Sequence, residues 1–170
     1  IAKLMKHTAK VQAMSRAFDT LSGKVGGSKL AFDRLRAATN NTMKEVDLFR
    51  QANNAMILGV TQSSEEMAEM FDIAQRLGRA LGQDTAMSVE SLITGIGRQS
   101  RLMLDNIGII VKTEEAYKAH ADVLGINADQ LTDVQKKQAF FNATMESARS
   151  KVKQLGDEQL TTSDTLQQLG

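Results

Sequence analysis

The sequence predicts an all-α protein, and three observations support that class. The 170 residues include no Pro and a surplus of Ala, Leu, Met, Gln, Lys, Arg and Glu, side chains that lose little rotamer freedom in a helix. Apolar residues recur at three- and four-residue steps, and capping signals separate the segments. We expect about six to eight helices that pack through their apolar stripes into one compact domain, preceded by a heptad-bearing helix.

The first segment, residues 1–25, carries that heptad seam. Its apolar positions are Leu4, Val11, Met14, Phe18, Leu21 and Val25, with His7 in the remaining slot. About three heptads do not distinguish a helix that packs on its own domain from an intermolecular coiled coil, so both interpretations stay open. The candidate helix–helix interaction residues are Val11, Met14, Phe18 and Leu21. "VGGSK" should break this helix, because two adjacent glycines raise the backbone entropy cost.

Residues 30–155 are predicted to form the compact domain, and capping signals divide it into helices. Thr42–Glu45, Ser63–Glu66 and Thr132–Gln135 each have the spacing of a capping box, in which each side chain satisfies the other residue's backbone N–H. "GIGRQS", at Gly95–Ser100, should close the helix before it. Other expected boundaries are the N-caps Asp84 and Ser100 and the terminal glycines Gly59, Gly82, Gly125 and Gly156. Residues 156–170 are polar and are expected to start a following segment.

A structural corner is predicted at "RLMLDNIGII", which begins at Arg101. Leu102, Leu104 and Ile107 are expected to pack the preceding helix onto the following one. Asn106 and Gly108 should supply the turn, since both residue types tolerate the left-handed backbone conformation. The β-branched "IIV" that follows is too short for more than an extended link. A ligand pocket at the corner is the lesser alternative.

The composition argues against several classes of protein. The 21 Lys+Arg nearly balance 20 Asp+Glu, so no strong, sequence-independent attraction to nucleic acid or to an anionic membrane is implied. The absence of Cys excludes disulfides, thiolate catalysis and thiolate metal sites. No apolar run approaches the ~18–20 residues of a membrane helix, so stable membrane insertion of this segment is not expected. A start at Ile1 instead of Met indicates a piece of a longer protein.

No residue set predicts a catalytic, cofactor-binding or metal site. His7 and His120 are the only histidines, and a metal site needs further ligands; His120 is expected to be a partly buried structural imidazole. Glu65–Glu66 and Glu114–Glu115 fall in first helical turns, where the helix dipole stabilises carboxylates. "GIGRQS" lacks a phosphate-loop pattern. The expectation is therefore a non-enzymatic protein without a cofactor, a small-molecule substrate or a specific nucleic-acid target.

Several short pieces follow one another in a recognisable order from Leu30 to Asp164. They are "ANNA" (Ala52–Ala55), "GRALG" (Gly78–Gly82), the "TGIGRQS" bend, the "LDNIGI" corner and the "AYKAHADVLG" helix, continued by "LTDVQKKQAFFNATMESA" (Leu131–Ala148) and "GDEQLTTSD" (Gly156–Asp164). This collinear pattern resembles the tape measure proteins of long-tailed bacteriophages and prophages. No individual binding residue can be carried over from that family.

The resemblance implies a structural protein that lies in the tail tube and whose length sets tail length during assembly. Its implied partners are the tail tube protein, tail assembly chaperones and other copies of itself. The implied location is the lumen of the virion tail, and the host cytoplasm during assembly. The alternative prediction is a cytosolic helical protein-binding module, an adaptor or a chaperone, whose seam grips a partner helix.

Overall fold

A computed structural model describes residues 2–23, 28–61 and 63–156, with side chains except at 2–8, 28 and 30. This part of the chain contains eight α-helices and no strand, so the prediction of an all-α, compact multi-helix domain is confirmed. The helices are α1 (Ala2–Ser22), α2 (Ser28–Ala38), α3 (Glu45–Leu58), α4 (Ser64–Ala80), α5 (Thr85–Gly97), α6 (Arg101–Asp105), α7 (Thr113–Leu124) and α8 (Asp133–Leu155), with a 3₁₀ turn at Ala128–Gln130.

Most helix boundaries follow the predicted capping residues. The side chains of Ser63, Asp84 and Ser100 each accept a hydrogen bond from the backbone N–H three residues further on. Thr132–Gln135 forms the complete capping box, with both bonds present. Among the described glycines, those with positive φ are Gly59, Gly82, Gly108, Gly125 and Gly156. Local signals therefore set the ends of these helices, as expected for bonds that span only a few residues.

The capping box predicted at Thr42 and Glu45 is wrong. Helix α3 begins at Glu45 after Lys44, which makes no side-chain cap bond. The Thr42 hydroxyl lies instead 3.0 Å from the hydroxyl of Thr85, at the start of α5. Glu45 pairs with Arg36 of α2 at 3.6 Å. Thr42 is buried, and its hydroxyl also donates to the backbone carbonyl of Thr39, so these two contacts replace the expected bond from the Glu45 amide.

The predicted closing stretch Gly95–Ser100 does end a helix, since the last residue of α5 is Gly97. A Cβ at Gly95 would lie 2.6 Å from a methyl carbon of Leu104, and one at Gly97 would lie 2.6 Å from a methyl carbon of Leu58. These glycines allow α6 and α3 to approach α5 closely. That packing keeps glycine inside a helix despite its low helix propensity.

Helices α3, α4 and α5 form the centre of the fold. α3 and α5 run parallel, since Thr42 meets Thr85 near their starts and Asn54 donates to the Thr94 hydroxyl at 3.4 Å near their ends. α4 packs on α5 after a short turn, α1 packs on α3, and α2 packs on α4. α8 packs on α4, α5 and α7. This arrangement covers both flanks of α5.

A hydrophobic core joins the described helices other than α7, from Phe18 in α1 to Ala148 in α8. Its fully buried side chains are mostly aliphatic or Met, and include Leu35, Leu48, Met67, Met70, Phe71, Leu92 and Ile93. Because α1 contributes to the same core, the expected boundary at residues 25–30 does not separate two cores. Among the described helices, none combines the length and apolarity needed to cross a membrane.

Candidate interaction surfaces

The heptad seam of α1 is largely covered by the protein's own core. Phe18 is 1% exposed, and Val11 and Met14 are half-buried against the core cluster. Leu21 is also half-buried. Within the chain, these residues therefore pack on their own domain, and the intermolecular coiled coil stays a prediction. The other seam positions, Leu4, His7 and Val25, lie outside the described side chains.

Three phenylalanines join α1, α2 and α3 at this seam. The Phe18 ring lies edge-on to Phe49 at 5.6 Å and to Phe32 at 6.0 Å, while Phe32 and Phe49 stack at 4.5 Å. Aromatic pairs in such geometries contribute about 0.5–1.5 kcal/mol beyond the area they bury. One turn away, the Asn53 amide donates to the backbone carbonyl of Met14 at 3.0 Å. Apolar and polar contacts together hold α1 on α3.

The predicted corner has two of its three expected apolar anchors. Leu104 and Ile107 are fully buried, and Leu104 packs over Gly95. Leu102 is 82% exposed, so its predicted packing role is wrong. Helix α6 is a single turn, and residues two apart point to opposite sides of a helix. Because Leu104 faces α5, Leu102 must face away from it. Gly108 adopts the predicted positive φ, at 75°.

Asn106 contributes to the corner through its backbone and not through a left-handed conformation. Its φ and ψ are those of a right-handed helix, and its carbonyl accepts a hydrogen bond from the Gln83 side chain, in the turn between α4 and α5. The extended link that follows buries Ile109 and Val111 and exposes Ile110, the alternation of extended backbone. The corner therefore fastens α6 to α5 and to the turn between α4 and α5.

The described residues contain no group of three or more His, Asp or Glu side chains that could hold a metal ion. His120 is half-buried in α7, as predicted. The acidic pairs Glu65–Glu66 and Glu114–Glu115 lie in the first turns of α4 and α7, also as predicted. Their positions are those in which a helix dipole favours carboxylates. The side chain of His7 lies outside the described ones.

Two ion pairs attach flanking helices to α4. A hydrogen bond from its own backbone amide lowers the pKa of the Glu65 carboxyl, and Arg34 of α2, which contacts both Glu65 and Ser64, lowers it further. Arg149 of α8 binds both oxygens of Glu69, at 2.6 and 3.1 Å, and this hydrogen bonding raises the pKa of Arg149. Since exposed pairs contribute little stability, their main effect is to orient α2 and α8.

The most exposed large apolar side chains among the described residues are Val123 at 84%, Leu102 at 82% and Val134 at 77%. Val123 lies near the end of α7 and Val134 near the start of α8, on either side of the connection between them. The other exposed large apolar side chains in this part of the chain are Ile57, Leu81, Met87, Ile110, Leu124 and Leu155. Single exposed apolar residues are ordinary on a protein surface, so these mark where contacts with other proteins are available, without defining a partner.

Buried polar contacts between helices were not foreseen from the sequence. Two such contacts are Thr42–Thr85 and Asn54–Thr94. In addition, Gln51 and Asn53 are more than nine-tenths buried, and each has a side-chain oxygen without a hydrogen-bond partner among the described residues. One feature of the sequence could have indicated this burial: the polar residues of "QANNA" in α3 lie between apolar positions. A helix that is packed on several sides must bury some of these side chains.

No protein-family model matches this chain, and no solved structure matches it. The chain's own residues and contacts are therefore the basis for assigning a function.

Proposed function

We propose that this chain is a structural segment of a phage tail tape measure protein, which acts through protein contacts in tail assembly and in tail length determination. The observation that carries the proposal is the collinear order of short pieces from Leu30 to Asp164. Helices, bends and the corner follow one another as they do in the family that the sequence resembles.

The residues within those pieces support a structural role. Ala52 and Ala55, in "ANNA", are completely buried in α3. Gly78 and Gly95, in "GRALG" and "TGIGRQS", lie where a Cβ would meet a neighbouring helix. Leu104, the first residue of "LDNIGI", is buried at the corner. In these four pieces, the named residues thus lie where helices touch, which suits a protein that works by packing.

In this role the segment occupies the lumen of the virion tail and is present in the host cytoplasm during assembly. Its partners are the tail tube protein, tail assembly chaperones and other copies of itself. It contributes no catalytic step, and it binds no small-molecule substrate.

An alternative is a cytosolic helical protein-binding module, such as an adaptor or a chaperone. Gripping a partner helix through the α1 seam would require Phe18 to leave its contacts with Phe32 and Phe49. Apart from that seam, two highly exposed valines, Val123 and Val134, lie on either side of the α7–α8 connection. Such side chains offer apolar contact area to a partner.

Mass spectrometry of purified particles tests the proposal. A prophage-bearing strain that carries this gene is induced, and tailed particles are separated from the soluble lysate on a density gradient. The proposal predicts that peptides from this chain co-purify with the tail tube protein and cross-link to it. Peptides found only in the soluble lysate, with tail tube protein present in the particles, would contradict the proposal and favour the alternative. A cytosolic enzyme followed through the same gradient is the control.

A further inference from the structure

Helix α7 is attached to the rest of the protein more weakly than α4 and α5 are. In its 12 residues only Ala116 and Ala121 are buried. By comparison, α4 buries nine of 17 residues and α5 buries eight of 13. An alanine side chain removes a single methyl group from water, much less apolar area than Leu, Ile or Phe. The burial of α7 therefore provides little hydrophobic stabilisation.

The few buried residues of α7 also lie outside the main core. Ala116, Ala121, Leu131 and Ala139 are buried but are not part of the core cluster that joins the other helices. Among the described helices, α7 packs chiefly on α8, and otherwise on the 3₁₀ turn after it. Such a satellite cluster can come apart without opening the principal core.

Polar contacts add a small attachment at one residue of α7. The Tyr117 hydroxyl donates to the Gln99 side-chain carbonyl at 2.9 Å, and the Lys136 ammonium lies 5.8 Å from the centre of the Tyr117 ring. Both Tyr117 and Lys136 are partly exposed. Contacts of this kind are weakened by competing water.

Helix α7 is bounded by two buried residues, Val111 before it and Leu131 after it, and the connections between them and α7 contain no α-helical residue. Before α7 lies the extended link Ile109–Lys112, which contributes no helical turn, and Lys112 makes no side-chain cap bond. After α7, Gly125 adopts the left-handed conformation and a 3₁₀ turn follows. A helix of about 12 residues is marginal in water without tertiary contacts. Release from α8 would therefore also favour unwinding.

We infer that α7 is a strap that opens from α8 as a unit while the core of α3, α4 and α5 stays folded. Opening uncovers Ala139 and the adjoining face of α8. The domain thus has a second, partly open state that retains its core. This device follows from the unequal burial of the helices and does not depend on the proposed function.

Native-state hydrogen exchange on the full chain tests the strap. After correction for intrinsic rates, α7 amides are expected to exchange at least about 100-fold faster than the slowest amides of α4 and α5, with little dependence on low denaturant concentrations. Equal protection of α7 and α5, with the same denaturant dependence, would overturn the inference. That result would mean that α7 opens only when the whole domain unfolds.

Two matched Ala-to-Gly variants separate local opening from global unfolding. Ala121→Gly in α7 destabilises the native state relative to both the open and the unfolded state, so it should speed exchange of the α7 amides and of the slowest α4 and α5 amides alike, about fivefold from lost helix propensity. Ala74→Gly, at a completely buried position of α4, should speed the α4 and α5 amides and leave α7 unchanged. If Ala74→Gly speeds α7 by the same factor as α4, α7 does not open on its own and the inference fails.

Discussion

The ring of Phe18 lies 5.6 Å from the ring of Phe49, with 63° between their planes. This edge-to-face contact joins α1 to α3 inside the main core, and it uses a residue of the heptad seam. A seam residue that is buried within its own domain is not available to a partner helix unless α1 first leaves α3.

Phe18→Ala should therefore destabilise the fold without changing its assembly state. Removal of a fully buried phenyl ring costs about 3–5 kcal/mol through lost burial and a residual cavity. Thermal unfolding gives the first readout, and sedimentation of the folded protein gives the second. Leu102→Ala, at an 82% exposed position, is the control and should stay within about 0.5 kcal/mol of the parent. A lower sedimentation mass at an unchanged melting temperature would instead indicate an intermolecular coiled coil.

Gly108→Val tests the backbone of the corner. Gly108 has a φ of 75°, and an added Cβ would meet no atom nearer than 3.7 Å, a methyl carbon of Leu81. The expected cost of roughly 1–3 kcal/mol therefore comes from the left-handed conformation and not from a collision. Gly108→Asn is the matched control and should cost less, because Asn tolerates this region. Equal melting temperatures for the Val variant and the parent would contradict a left-handed turn at Gly108.

Gly78→Ala tests the close approach of α4 to α5. A Cβ at Gly78 would lie 1.8 Å from the Ser88 hydroxyl oxygen and 2.6 Å from the Ser88 Cβ, so rotation of the hydroxyl alone cannot relieve the contact. The variant should lose about 1–3 kcal/mol in the free energy of unfolding. Ser88→Gly in the same background should recover part of that loss, although alone it destabilises α5. Strict additivity in a double-mutant cycle would mean that the two positions do not collide.

Tail length tests the ruler role, and this prediction rests on the proposed function. If residues 30–155 were a single helical rod, their in-frame deletion from the parent gene would shorten tails by roughly 190 Å, at about 1.5 Å per residue. The compact packing of α3, α4 and α5 leads us to expect clearly less shortening. Electron micrographs of mutant and parental tails give the measurement. Shortening by the full rod length would show that the domain is extended in the assembled tail.

The helix ends were predictable wherever the deciding bonds are local. Ser63 and Thr132 accept bonds from backbone amides three residues away, so residue type and spacing were sufficient. Thr42 has the same spacing to Glu45, but its hydroxyl contacts Thr85, 43 residues further along the chain. Nothing near Thr42 in the sequence indicates that partner.

The candidate contact residues were predictable only in part, for the same reason. The apolar character of Phe18 and Leu102 was evident, but one is 1% and the other 82% exposed. The difference depends on which helices lie next to α1 and α6. Periodicity identifies a stripe, whereas the neighbouring helix decides whether that stripe is covered.

By itself, the sequence determined that the protein is all-α and where most of its helices begin and end. Helical hydrogen bonds and caps join residues three or four apart, so their energetics are local. Tertiary structure alone decided that Phe18 packs with Phe49, that Gly78 must lack a side chain beside Ser88, and that α7 buries little. Burial and close packing depend on atoms that are distant in the chain, and only the folded arrangement brings them together.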